Sequence, residues 1–177
     1  MSVASDFRTD LRHADAARQR LDENFYPYVS RDGKFVPVER SAGSIFIQKH
    51  CHVDCIAAAK RGGSVTIEEK IVRWKGRRYT AMTVETHSNL ERTIDQEIGD
   101  GWIATCTADY LLYAFQQEDK SLLVWLFDLP KFRKWFNGVF QAYAISDTSN
   151  DFYTTRCRVV PLRNIPDECV KLRNRAA

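Results

Sequence analysis

The sequence contains no apolar run approaching the roughly 20 residues that a bilayer-spanning helix requires. Its longest apolar stretches, Ile103 to Phe115 and Leu122 to Leu129, are interrupted by polar residues or stop short, so no membrane span is expected. The opening Met-Ser-Val-Ala-Ser-Asp lacks a basic segment followed by an apolar stretch, which excludes a recognisable secretory signal and makes a cytoplasmic protein the expectation. A paired cysteine framework is also missing. Five cysteines, Cys51, Cys55, Cys106, Cys157 and Cys169, form an odd, dispersed set that suits reduced thiols. Strong charge of one sign is absent as well: 26 basic against 23 acidic residues leave +3, too little to mark a nucleic-acid binder and too little to repel a polyanion. No internal repeat, low-complexity tract or linker divides the chain, so residues 1–177 read as a single domain.

What is present is enough for a packed core. The chain is 44% apolar and 12% aromatic over 177 residues, which excludes a disordered chain. Basic residues gather at Lys60-Arg61, Arg73 to Arg78, Lys131 to Lys134 and Arg156 to Arg175, with acids between Glu85 and Asp100 and near Asp147 to Asp151. Two readings stand side by side, a basic rim around an acidic site and ordinary solvated charge.

Residues 6–24 are rich in Ala, Arg and Leu and contain no Gly or Pro; Phe7, Leu11, Ala14, Ala17 or Arg18, Leu21 and Phe25 recur at helical spacing. An amphipathic helix is expected, ended by Pro27 and the Arg31-Asp32-Gly33-Lys34 turn. Phe35-Val36-Pro37-Val38 reads as a short edge segment, since proline cannot donate to a ladder. From Ser44 strand signals take over: Ile45 to Gln48, then Val53 to Ala57, a Lys60-Arg61-Gly62-Gly63 turn, a β-branched strand Ser64 to Trp74, a Lys75-Gly76 turn, and a third strand Arg78 to Thr86. Short turns between consecutive strands predict an antiparallel meander. Thr107 to Gln117 shows helical spacing with Thr107 as N-cap, and Ser121 to Asp128 is a strand-length apolar run. Pro130 opens a basic, aromatic helix over Lys131 to Asn137, Phe152 to Val160 forms another strand, and Lys171 to Ala177 is expected to fray. The order of elements predicts a mixed α/β or α+β layer fold.

The chemistry concentrates on the first hairpin. Strand side chains alternate faces, so Glu68 and Lys70 share one face and Glu69 takes the other. A hairpin centred on Arg61 places Asp54 opposite Glu68, because both are equidistant from it. Opposed residues in an antiparallel pair have Cβ atoms about 4.5–5.5 Å apart, where two bare carboxylates repel. A divalent cation relieves that repulsion, and Mg²⁺ typically takes one or two carboxylates with waters and phosphate oxygens. Lys70, one repeat along the same face, is suited to orient an attacking water and to offset charge building on a phosphate. A turn at Lys75-Gly76 puts Thr83 opposite Glu68 and Glu85 on the same face beside Thr66, making Glu85 a candidate further ligand or water-positioning base; a one-residue slip would reverse that assignment.

Asp54, thirteen intervening residues and then Glu68-Glu69-Lys70 on an apolar strand resembles the PD-(D/E)XK nuclease superfamily, with the restriction-endonuclease-like fold. The resemblance covers most of residues 6–128, leaving 129–177 as a C-terminal elaboration. It implies a core of helix, sheet carrying the Asp and the (D/E)-x-K strand, helix and strand, in the order read here. It implies that Asp54 and Glu68 hold Mg²⁺ or Mn²⁺, that Lys70 assists the water, that the Glu69 carbonyl is a further ligand, and that Glu23 on the first helix matches an additional acid of some members. Gly101-Trp102-Ile103 before Ala108-Asp109-Tyr110 is similar to uncharacterised phage-type members. Val53 stands where the motif name has proline. The function so implied is metal-dependent hydrolysis of phosphodiester bonds in nucleic acid, DNA first, with homodimerisation common among such nucleases.

Plainer readings accompany each feature. Glu68, Glu69 and Lys70 also suit an exposed strand face with cross-strand ion pairs, each contributing less than about 1 kcal/mol. Cys51-His52-Val53-Asp54-Cys55 lacks the second Cys/His pair of a zinc site, no elbow motif surrounds His87-Ser88, and no helix or Walker pattern follows Gly62-Gly63. Lys60, Arg61, Lys131, Arg133 and Lys134 are candidate phosphate contacts, with Phe132, Trp135 and Phe136 either stacking bases or filling a core. Two rival functions follow: a catalytically silent nuclease-fold protein that binds nucleic acid or a protein partner, and a structural subunit whose aromatic C-terminal part oligomerises.

Overall fold

A computed structural model describes residues 15–27, 35–40, 53–59, 63–76, 78–149 and 152–176. The expected strand at Ile45 to Gln48, the helical positions Phe7, Leu11 and Ala14, the Arg31 to Lys34 turn, and Lys60, Arg61 and Gly62 lie outside them. The fold is mixed α+β and has two sheets.

Helix α1 spans residues 15–27 and contains a π-turn over Leu21–Phe25. Ala17, Leu21 and Phe25, each four residues apart, bury one stripe, and the helix continues through Pro27 rather than stopping before it. The large sheet holds β1 (Phe35–Arg40), β2 (Cys55–Ala59), β3 (Ser64–Val72), β5 (Tyr110–Gln116), β6 (Leu122–Asp128) and β9 (Val170–Ala176), in the order β1-β2-β3-β5-β6-β9. Every pairing is antiparallel except β3 with β5, which is parallel. The small antiparallel sheet is β4 (Ala81–His87), β8 (Thr154–Pro161) and β7 (Ala144–Ser149), in the order β4-β8-β7. Short helices α2 (Leu90–Thr93) and α3 (Trp102–Thr105) precede β5, and α4 (Leu129–Val139) follows β6. Among the described residues no helix is long and apolar enough to cross a membrane.

Three expectations are corrected. The meander does not continue into β4: after Gly76, whose φ of +74° suits glycine, the chain leaves β3 and pairs β4 with β8. The edge of β3 is taken instead by β5, from Ile67 beside Tyr110 to Val72 beside Phe115. The expected helix over Thr107 to Gln117 is that strand. Leu111 to Phe115 are all buried, and an unbroken apolar run satisfies helical spacing automatically, so period carries no information there. The tail expected to fray pairs with β6 as β9, and Lys171 Nζ lies 3.1 Å from Asp128 Oδ2. Asp128 also caps α4, accepting from the Lys131 N–H at 3.1 Å, with Pro130 in the first turn.

Alternating side chains give the large sheet two buried faces. One packs Cys55, Ala57, Ile67, Leu112, Ala114, Val124 and Leu126 against Leu21, Phe25 and Tyr26 of α1. The other packs Leu111, Tyr113, Phe115, Trp125 and Phe127 against Met82, Val84 and Val160 of the small sheet, Trp102 and Ile103 of α3, and Phe132 and Phe136 of α4. Strand β4 crosses this second face. Tyr79 stacks on Phe115 with ring centroids 5.8 Å apart, and the Thr83 N–H donates to Tyr113 Oη at 3.2 Å. Glu68 and Lys70 lie on that covered face.

Candidate functional site

The pairs Cys55 with Ile67 and Ile56 with Thr66 have the register that symmetry about Arg61 gives, and Asp54, one residue before β2, brings its carboxyl within interaction distance of Glu68. The Asp54 N–H donates to Ile67 O at 3.0 Å, and Asp54 Oδ2 accepts from the Glu69 N–H at 2.9 Å. The aspartate is thus held by the backbone of the strand that carries the other acid. Glu68 is only 3% exposed. Lys70 Nζ donates to Glu68 Oε1 at 2.5 Å and lies 5.8 Å from the centroid of the Trp102 ring.

Charge in this space is poorly solvated. Burial raises the Glu68 carboxyl to about 7; Lys70 opposes that rise and the Asp54 carboxylate adds to it. Burial alone would lower the Lys70 ammonium, yet Glu68 and then Asp54 and Glu85 hold it above its ordinary value. Near neutral pH, Glu68 is therefore divided between acid and carboxylate beside a permanent cation. Cys106 lines the same space, its thiol pushed up to about 11 by burial.

Glu69 faces the other way, 5% exposed, and is tied to α1. Tyr26 Oη donates to Glu69 Oε1 at 2.6 Å, and Arg18 Nε lies 3.6 Å from Glu69 Oε2. The same guanidinium reaches Asp54, with Nη2 3.3 Å from Oδ1. Arg18 therefore joins the helix to both acids, a role that the sequence alone gives to no residue. Its only signal there is an arginine at a position where the apolar stripe of the helix is ambiguous. Trp102 is visible in the Gly101-Trp102-Ile103 triplet, but its place over Lys70 depends on a close approach: a Cβ at Gly101 would collide with the Glu85 carbonyl oxygen.

The remaining candidates separate. Glu85 lies on β4 opposite Cys157, not on a neighbour of β3, and accepts from Ser88 Oγ. It affects Lys70 through its charge but does not face Thr66 across a hairpin. Glu23 is exposed on α1 and accepts from Gln19 Nε2 at 2.8 Å, away from Asp54. Among the described residues no three His, Cys, Asp or Glu side chains come together as a metal cage, so Asp54 and Glu68 supply the carboxylate pair alone. Arg133 donates from Nε to Ile103 O at 2.6 Å and from Nη2 to Cys106 O, so it fastens α4 to the end of α3. Lys131 and Lys134 are exposed, while Phe132 and Phe136 are core residues. His87 is buried between Thr86 Oγ1 and Gln96 O at 3.0 and 3.1 Å, and Ser88 contacts Glu85 and Asp100, so the pair forms no nucleophile and base.

The site thus offers two carboxylates, one of them protonated or ionised according to pH, beside an ammonium and against an aromatic wall. Comparison with protein-family models, curated proteins and solved structures gives no match.

Proposed function

We propose that the protein is a metal-dependent phosphodiesterase of the PD-(D/E)XK kind, with a restriction-endonuclease-like core, acting on DNA. The observation that carries this reading is the convergence of Asp54, Glu68 and Lys70 at one buried point, with the Glu68 carboxyl raised to about 7. Carboxyls held this far above their ordinary range by burial and a second acid cluster at functional sites, which supports the reading. The order of elements supports the same reading: α1, the β2–β3 hairpin with both acids, then a strand parallel to β3. One departure accompanies it, since the connection from β3 to β5 carries β4 and two one-turn helices in place of a single long helix.

The residues fit a hard divalent cation. Asp54 and Glu68 are a pair of carboxylates, and Mg²⁺ commonly completes its shell with waters and phosphate oxygens. When bound, Mg²⁺ or Mn²⁺ supplies a Lewis acid for the phosphoryl oxygen. The Lys70 ammonium would hold an attacking water and offset negative charge on the phosphate as the water oxygen bonds to phosphorus, the bond to the leaving sugar oxygen breaks and the proton of the water passes to that oxygen. Trp102 and Cys106 exclude bulk water from Glu68, which strengthens each of these electrostatic effects.

A second reading has its own observation. Arg18 at 3.3 Å from Asp54 and Lys70 at 2.5 Å from Glu68 already balance both acids, as a silent site that only binds nucleic acid would. Incubation with single-stranded, duplex and branched DNA and with RNA, in Mn²⁺ or chelator, separates the two. Divalent-dependent cleavage lost in both Asp54→Ala and Lys70→Ala is the expected result. Cleavage that persists in both variants or in chelator overturns the proposal, and binding without cleavage in any metal favours the silent reading.

A further inference from the structure

A cavity of about 520 Å³ opens at the end of β4 remote from Glu85, between the approach to β4, strand β6 and the turn after β8. Arg78, Arg163 and Arg173 line it together with Tyr79 and Trp125, and no acidic residue does. All three arginines are exposed, and among the described residues no carboxylate ion-pairs with them. Arg173 lies over the indole of Trp125, its guanidinium carbon 4.6 Å from the ring centroid. Trp125 itself is only 8% exposed, yet its Nε1 has no hydrogen-bond partner.

Three uncompensated guanidinium groups around an aromatic floor define the chemistry of the occupant. Guanidinium forks match phosphate oxygens in two-point hydrogen bonds, and a guanidinium braced on an aromatic ring offers its outer face to a nucleobase. A free inorganic anion would leave the apolar wall of Tyr79, Leu123 and Leu162 without a function. Cavities of about 300–1,000 Å³ suit a ligand of nucleotide size. The placement links the cavity to the acids: Arg173 pairs with Trp125, Trp125 with Tyr113 and Tyr113 with Lys70, one row across four strands on one face of the large sheet.

We propose that this arginine-lined cavity beside Trp125 holds one nucleotide of single-stranded nucleic acid, its phosphate on Arg78 and Arg163 and its base against Arg173. What the strand does next rests on the nuclease reading; the binding does not.

The test is fluorescence anisotropy of a labelled oligo(dT) with the full chain in chelator, where no cleavage occurs. The double variant Arg163→Ala/Arg173→Ala is expected to bind at least about tenfold more weakly, with the salt slope reduced by roughly one for each phosphate that the variant no longer neutralises. Arg173→Lys, which keeps charge and loses the planar face, is expected to weaken binding as well, while Arg92→Ala at the exposed surface of α2 leaves it unchanged. Wild-type affinity in the double variant, or displacement of oligo(dT) as readily by inorganic phosphate or polyglutamate as by unlabelled oligo(dT), overturns the proposal. Circular dichroism melting of each variant removes misfolding as an explanation, since all three arginines are exposed. A wild-type chain that binds through the cavity but never cleaves in Mn²⁺ sinks the enzyme reading and leaves the cavity assignment standing.

Discussion

Glu68 and Glu69 are neighbours on β3, both nearly removed from water, and they live in opposite circumstances. Glu69 faces α1, where Tyr26 Oη at 2.6 Å and the Arg18 guanidinium satisfy it. Glu68 faces a space walled by Trp102 and Cys106, with Asp54 beside it and Lys70 as its own cation, and burial raises it to about 7. The difference separates a tether from a titratable group. Glu69 meets a phenol and a guanidinium, whereas Glu68 is desolvated beside a second carboxylate, which favours its protonated form.

Removing the tether has the largest expected effect on stability. Glu69→Ala deletes a buried charged hydrogen bond, leaves Tyr26 Oη without that acceptor and Arg18 with Asp54 and Asp15, and is expected to cost about 3 kcal/mol in urea unfolding. A loss within about 0.5 kcal/mol would mean that the two acids do not differ as described.

Glu68→Gln is expected to act in the opposite direction, and only at higher pH. The folded-state value of Glu68 lies above its unfolded value, so the folded chain binds more protons between about 4.5 and about 7 and loses stability as pH rises through that window. Below it, Glu68 is protonated in both states and the substitution changes little. In chelator at pH 8, Glu68→Gln is expected to be more stable than the wild type by about 1–3 kcal/mol, an order-of-magnitude figure from about 1.36 kcal/mol per unit. Thermal melts of both proteins from pH 4.5 to 8 check it, and parallel curves would count against the raised value.

Tyr26→Phe sharpens the comparison on the helix side. It removes one hydrogen bond to Glu69 and leaves Arg18 in place, with an expected cost of about 1 kcal/mol and no effect on any divalent-dependent cleavage. A large loss of cleavage in that variant would mean that the two faces of β3 are coupled through Asp54.

Much of this contrast is legible in the sequence. Alternation along Glu68-Glu69-Lys70 puts the acids on opposite faces, and equal distances from Arg61 pair Asp54 with Glu68, because a tight hairpin fixes register by counting. The apolar run of β6, the β-branched run of β3 and the edge proline of β1 also announce themselves. The departure of β4 does not. Whether a third strand stays in a meander is decided by what competes for the edge of β3, and Tyr110 to Phe115 lies far along the chain. That segment misleads in turn because it is apolar on every side, which erases the distinction between periods of 2 and 3.6. The basic tail becomes β9 because Lys171 meets Asp128 and Arg173 lies over Trp125 while the backbone extends the sheet, a tertiary outcome invisible to charge counting. Arg18 and Trp102 belong to the same class: helix-to-sheet and loop-to-sheet packing places them beside the acids, and no local pattern encodes it.

The most direct test of Glu68 as the metal-accepting acid is calorimetric titration of the full chain with Mn²⁺ at pH 6, 7 and 8. Metal must displace the proton from a group near 7, so affinity should rise about fivefold from pH 6 to 7 and about twofold more towards pH 8, and fall sharply in Glu68→Gln. Affinity that is equal at pH 6 and 8, unaltered by Glu68→Gln, or absent at every pH contradicts the reading of this site as a metal centre.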